Sequence, residues 1–176
     1  MKRTRKIHDT LNLPTLKLEG GLFLPDQLEQ AAHGRASAQL EADYLIPKGV
    51  KLKDEYSRAF QIACAPWQHF AAQMERADLD ATQLTTAFID ELLRHAFGYT
   101  ALHPAQAQQV GVLRYPVSLM ADHFPVLVAP HTLRLDDADA QFAGQGSGNR
   151  KKAPFQAMQE LLNASEPLQC GIVSNG

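Results

Sequence analysis

The sequence predicts an α/β (α+β) protein: an N-terminal helical arm followed by a small mixed sheet with flanking helices. Three observations carry this reading. Residues 52 to 77 place Tyr56, Phe60, Ala63, Trp67, Phe70 and Met74 at steps of four and three, one apolar stripe along a helix. The runs VGVLRYPVSLM and FPVLVAP are β-type, and Ala121-Asp122-His123 separates them. Finally APFQAMQELLNA reads as a helix and QCGIVS as a short closing strand. Helix, two or three antiparallel strands, helix, strand is therefore the expected order.

Residues 1 to 19 alternate only weakly (Leu11, Leu13, Leu16, Leu18) and end at Gly20-Gly21, which predicts a flexible or extended arm. Pro25 opens a short helix, PDQLEQAAHG, with Asp26 and Glu29 near its positive end and Gly34 as its stop. RASAQLEADYLIPKG is a connector. Pro66 lies inside the long stripe, where it deletes a backbone hydrogen bond and crowds the preceding turn. The stripe continues across it, so a kink is expected. The helical region then spans 20–84 and an α/β domain spans 85–176. A further helix is expected after a Thr85-Thr86 cap, with Phe88, Leu92 and Ala96 on one face and Gly98 as its end. Residues 134 to 152 form an acidic, Gly-rich loop before the helix that starts at Pro154.

Composition narrows the function classes. A chain of 176 residues with 45% apolar and 20% charged residues is long enough to bury a core. Its net charge of −2 makes no global electrostatic case for nucleic acid. The basic start MKRTRK has no apolar run after it and is not a signal peptide. No stretch reaches the roughly 18 apolar residues of a membrane span. A cytoplasmic protein without a membrane partner is expected, with Cys64 and Cys170 as buried thiols.

Candidate chemistry is sparse. The seven histidines, His8, His33, His69, His95, His103, His123 and His131, show no i, i+4 helical pair and no Cys-x-x-Cys partner. His123 and His131 flank one strand beside Asp122, an arrangement expected for solvated strand-end histidines rather than a metal site. Ser118, Ser147 and Ser174 lack the G-x-S-x-G context of a serine hydrolase. QGSGN lacks the Lys-Ser/Thr ending of a phosphate loop. Asn149, Arg150, Lys151 and Lys152 precede a helix N-terminus, where cations and amide N–H groups together can hold a DNA phosphate. Asp136, Asp137 and Asp139 in the same loop offset that charge. Lys2, Arg3, Arg5 and Lys6 form a second candidate DNA-backbone contact.

The order of elements resembles the core of PD-(D/E)xK nucleases. There an Asp on the second strand and a Glu-x-Lys at the end of the third hold Mg²⁺ and activate water. Here the apolar run FPVLV is followed by Ala129, Pro130 and His131, none of which supplies that Glu. The resemblance thus implies a degenerate nuclease core with no catalytic residues and no metal ligands.

GGLFLPDQLEQAA, DYLIPKG, DEYSRAFQIACAPWQHF, ELLRHAFGY, RYPVSLMADHFPVLV and QELLNASEPLQCGIVSNG occur in one order. Together they resemble the N-terminal region of large restriction–modification-type adenine DNA methylases, the type IIG-like or DISARM-like proteins of bacterial phage defence. The similarity runs from about residue 20 to 176. Cys170 departs from it, standing where the family tends to have Trp. The chain has neither the Asn-Pro-Pro-Tyr that holds a flipped adenine nor a Gly-rich loop for S-adenosylmethionine. The resemblance implies a non-enzymatic region that supports or positions a methylase on DNA. It needs no cofactor of its own, and S-adenosylmethionine belongs to the methylase part. The expected partners are the rest of the methylase polypeptide or defence-system subunits, and DNA. Asn175-Gly176 is a strong hairpin signal with no second arm after it, so a truncated chain is expected. A stand-alone interaction or regulatory module, and a truncated product without function, are the rival expectations.

Overall fold

The computed structural model describes residues 24–144 and 150–176. The expected N-terminal arm and the QGSGN segment lie outside them. The chain divides into two compact units, residues 1–56 and 57–176.

In the first unit, helix α1 (Pro25–Ala32) starts with proline at its first turn. Proline has no N–H to leave unpaired there. The Gln27 side chain reaches back to accept the Leu24 N–H at 3.1 Å. Gln39 ties the following turn to the helix, donating to the Ala31 carbonyl at 3.0 Å while accepting the Ala36 N–H. None of this unit's described side chains is fully buried, and Leu40, Tyr44 and Leu45 are all at least half exposed.

Helix α2 (Leu52–Gln73) runs through Pro66 without a break. Its residues from Ser57 onward belong to the second unit. Helix α3 (Ala81–Glu91) follows, and a π-helical turn (Leu92–Ala96) extends it towards Gly98. The expected Thr85-Thr86 cap is corrected. Asp80 caps the helix, its carboxylate accepting the Gln83 N–H at 2.8 Å. Asp is as good a cap as Thr and lies one turn earlier, so the helix begins there. Thr85 is instead a fully buried helical residue whose hydroxyl donates to the Ala81 carbonyl.

Among the described residues the strands are β1 (His103–Pro104), β2 (Ala107–Val110), β3 (Leu113–Pro116), β4 (Leu119–Ala121), β5 (Phe124–Val128) and β6 (Ile172–Ser174). β2 and β3 form a separate hairpin, turned at Gly111-Val112. β1, β4, β5 and β6 form a mixed four-stranded sheet in that order. β4 and β5 pair antiparallel, and β6 runs parallel to β5 after the crossover helix α4 (Pro154–Ala164). The element order thus matches the expectation, with β1 and β2 added. β2 reads AQQV, and only Val110 in it is of the β-branched or aromatic kind that marks a strand by sequence.

The alternation of β4 and β5 sends their side chains to two separate cores. Leu119, Ala121, Val126 and Val128 pack with Phe70, Phe88, Ile89 and Leu93 of the α2 and α3 layer. Met120, Leu127 and Ala129 pack with Ala157, Met158 and Leu161 of α4 and with Tyr115 and Phe142. α4 starts at Pro154 as the sequence predicts. Phe142, in a short 3₁₀ turn (Ala140–Phe142), anchors the acidic loop that patterning alone reads as solvated.

The long helix buries only part of its apolar stripe. Phe70 is buried and stacks on Phe88 with centroids 4.5 Å apart. Trp67 leans on both rings, at 6.0 and 5.8 Å, but is half exposed. Tyr56 and Phe60 are 58% and 72% exposed, so only the C-terminal end of the stripe reaches the core. Period predicts which residues share a face, not how far along the helix that face finds a partner.

Gly171 shows why the last strand reads CGIVS. A Cβ there would lie 2.8 Å from the Pro125 carbonyl oxygen and 2.9 Å from the Met158 sulfur. β6 therefore approaches β5 and α4 through a gap that only glycine fits. Cys170 beside it is exposed and Cys64 half-buried, both free, which corrects the expectation of two buried thiols.

In a denaturant melt, Phe70→Ala should cost about 3 to 5 kcal/mol, because it removes a stacked, buried ring and leaves a cavity. Phe60→Ala should change stability by less than about 0.5 kcal/mol. Equal costs at the two positions would mean that the whole stripe is buried.

Candidate functional site

The sequence singles out two groups of residues, the loop cations before α4 and the polar residues around β5. Lys2, Arg3, Arg5 and Lys6 lie outside the described residues.

The loop cations separate. Arg150 and Lys151 are exposed. Lys152 is buried, forms an ion pair with Glu160 of α4, and sits 5.9 Å above the Tyr115 ring. Its backbone forms a bridge with Asp139, whose N–H donates to the Lys152 carbonyl at 3.0 Å. Gln156 donates to the other oxygen of Glu160 at 3.1 Å. Lys152 is therefore corrected from a DNA-facing cation to a structural one: its charge is neutralised inside the fold and cannot reach a phosphate. The helix end beside it is occupied as well. Pro154 has no N–H and is fully buried, and Phe155 N–H donates to the Leu135 carbonyl at 3.2 Å. Only Arg150 and Lys151 remain as candidate phosphate contacts among the described residues.

At the C-terminal end of β5, where a nuclease of the resembled type would carry Glu-x-Lys, Ala129 is fully buried. His131 is not a solvated strand-end histidine. Its N–H donates to the Thr85 hydroxyl at 3.0 Å, its Nε2 lies 3.0 Å from the Met74 carbonyl oxygen, and its ring meets Phe70 edge-on at 5.7 Å. With Nε2 as the donor to that carbonyl, His131 ties the strand end to the end of α2 through its ring and to α3 through its backbone N–H. Because β4 and β5 are antiparallel, the start of β4 lies beside this end. The group there is Ser118, whose hydroxyl oxygen accepts the Val128 N–H at 2.9 Å. Asp122 sits in the hairpin turn at the other end of β5, about 17 Å away for a strand of this length. The carboxylate and the strand end are thus held apart by the hairpin itself. Among the described residues, no three His, Cys, Asp or Glu side chains converge in a way that would hold a metal.

The chain end packs on this same network. Asn175 donates from its side-chain amide to the Leu133 carbonyl at 2.9 Å, and a Cβ on Gly176 would lie 2.7 Å from the Phe70 ring. Gly176 has φ of +101°, a conformation that favours glycine.

One exposed ion pair perturbs titration. The Arg76 guanidinium, 2.6 Å from Asp78, holds that carboxyl below its ordinary value, and Asp78 in turn raises Arg76. Both side chains are solvent-exposed, so the pair contributes little to the fold.

Comparison with family models, with curated proteins and with solved structures gave no match. Among the described residues, no helix is long and apolar enough to cross a membrane.

Removing the partner of a buried cation leaves its desolvation uncompensated. Glu160→Ala should therefore destabilise the fold by about 1 to 3 kcal/mol, with the half-exposed carboxylate setting the lower part of that range. Arg150→Ala and Lys151→Ala should each stay within about 0.5 kcal/mol. Thermal melts of the three variants check this, and an unchanged Glu160→Ala would place Lys152 in solvent.

Proposed function

We propose that this chain is a non-catalytic, nuclease-like region of a bacterial restriction–modification or phage-defence adenine DNA methylase, which supports or positions the methylase part on DNA. The observation that carries the reading is the end of β5. In a helix, β-meander, helix, strand order like that of the PD-(D/E)xK core, the metal-binding stretch is replaced by Ala129, Pro130 and His131. Ala129 is buried and His131 is committed to packing, so neither is available for metal chemistry. The ordered blocks of residues similar to the methylase N-terminal region support the same reading. S-adenosylmethionine would be bound by the methylase part, and the cytoplasm is the corresponding compartment. Arg150 and Lys151 are the residues proposed to touch the DNA backbone, joined by Lys2, Arg3, Arg5 and Lys6.

A second reading, a stand-alone protein-interaction module, is favoured by Phe60 and Trp67. Two large aromatic side chains on one helix, both about half exposed or more, are a feature of partner surfaces.

Two measurements on the full chain test the first reading. Fluorescence anisotropy with a short duplex should show salt-dependent binding. Replacing Arg150 and Lys151 together by alanine should reduce the slope of log K against log salt by about two. Incubation with plasmid and Mg²⁺ or Mn²⁺ should leave the plasmid intact. Cleavage abolished by Asp122→Ala or His131→Ala would overturn the non-catalytic assignment. A salt slope unchanged by the double substitution would remove these cations from the interface.

A further inference from the structure

A surface cleft of about 540 Å³ lies beside the hairpin turn of β4 and β5, at the end of β5 opposite His131. Tyr99 and Thr100, following the π-helical turn, form one side, and Asp122 and Phe124 form another. Gln169 and Cys170, just before β6, complete it. Its volume is within the range of small-ligand sites. Three features define what it can take.

The first is an aromatic platform. Tyr99 and Phe124 stack with centroids 5.7 Å apart and planes 17° from parallel. Tyr99 remains 37% exposed, so part of the ring surface is still open to a ligand.

The second is a carboxylate at the rim. Asp122 has φ of +50°, a conformation Asp tolerates better than most residues, and it is exposed at the tip of the turn. Asp122 makes no hydrogen bond or ion pair with another described residue.

The third is the sign of the charge. No lysine or arginine lines the cleft, and its rim carries one carboxylate, Asp122, with His123 next to it. A phosphate would meet a carboxylate there with no lysine or arginine to offset it, which disfavours a nucleotide. An apolar ligand would leave the carboxylate unused. A planar cation uses both features, since a guanidinium stacks on aromatic faces and donates two parallel N–H bonds to one carboxylate. An ammonium ion presents a point charge and cannot stack in this way.

We propose that this cleft seats the guanidinium group of an arginine side chain from a partner polypeptide, stacked on the Tyr99–Phe124 pair and paired with Asp122. The assignment is independent of DNA binding through Arg150 and Lys151.

The test is a nuclear magnetic resonance titration of the full chain with three probes. These are a short glycine-flanked arginine peptide, its lysine counterpart, and deoxyadenosine monophosphate. The arginine peptide should shift the amide signals of residues 98–101, 121–124 and 169–170, and bind several-fold more tightly than the lysine peptide. Asp122→Asn preserves the turn and removes the charge, and should weaken arginine binding about tenfold at unchanged melting temperature. Tyr99→Leu, at a partly exposed position, should weaken it as well. Three results would each overturn the proposal: no shifts at the cleft with the arginine peptide, Asp122→Asn binding as tightly as the parent, or the nucleotide binding there better than arginine.

Discussion

Everything in the second unit is organised by β5, a five-residue strand buried on both faces and paired on both edges. Val126 and Val128 point into the layer of α2 and α3, while Leu127 points into the layer of α4. Each of these three side chains is at most 2% exposed. A strand with two buried faces cannot slip by one residue without moving each side chain into the wrong core, so its register is fixed. The antiparallel partner β4 repeats the same division, with Leu119 and Ala121 on one side and Met120 on the other. The parallel partner β6 repeats it with Ile172 and Val173. Gly171 is the local condition that lets β6 come close enough.

That constraint also fixes where chemistry can and cannot assemble. The C-terminal end of β5 is sealed by His131, Thr85 and Phe70, so the network there serves packing. The N-terminal end opens at a tight turn and carries Asp122 into solvent beside the Tyr99–Phe124 stack. The acidic loop is held to α4 through the Asp139–Lys152 bridge and the Lys152–Glu160 pair, which leaves Arg150 and Lys151 as the exposed cations next to the helix start. Two adjacent lysines, Lys151 and Lys152, thus have opposite roles, separated only by which way each side chain leaves the backbone.

Element order was largely legible in the sequence, because each signal was local. Period 3.6 marked α2, β-type runs marked β4 and β5, and Pro154 marked the start of α4. The failures came where tertiary contacts decide. Thr85-Thr86 has the composition of a cap, but Asp80 offers the same chemistry one turn earlier, and the core claims Thr85. Tyr56 and Phe60 share a face with Phe70, yet only Phe70 meets Phe88. Lys152 reads as part of a basic run, and its burial depends on Glu160, eight residues away across a helix start. His131 looked solvated because its partners, Met74 and Thr85, are 57 and 46 residues distant. The Tyr99–Phe124 cleft had no signature at all, since its residues come from three separate segments.

Native-state hydrogen exchange tests most directly the claim that β5 holds the two layers together. The amides of Leu127, Val128 and Ala129 should fall in the slowest class and exchange only with global unfolding. Val126→Ala should speed exchange in α3 and α4 by the same free energy, because one cooperative unit contains both layers. If the α4 side instead exchanges independently of the α3 side, with β5 amides opening below the global stability, the two cores are separate units and the account is wrong.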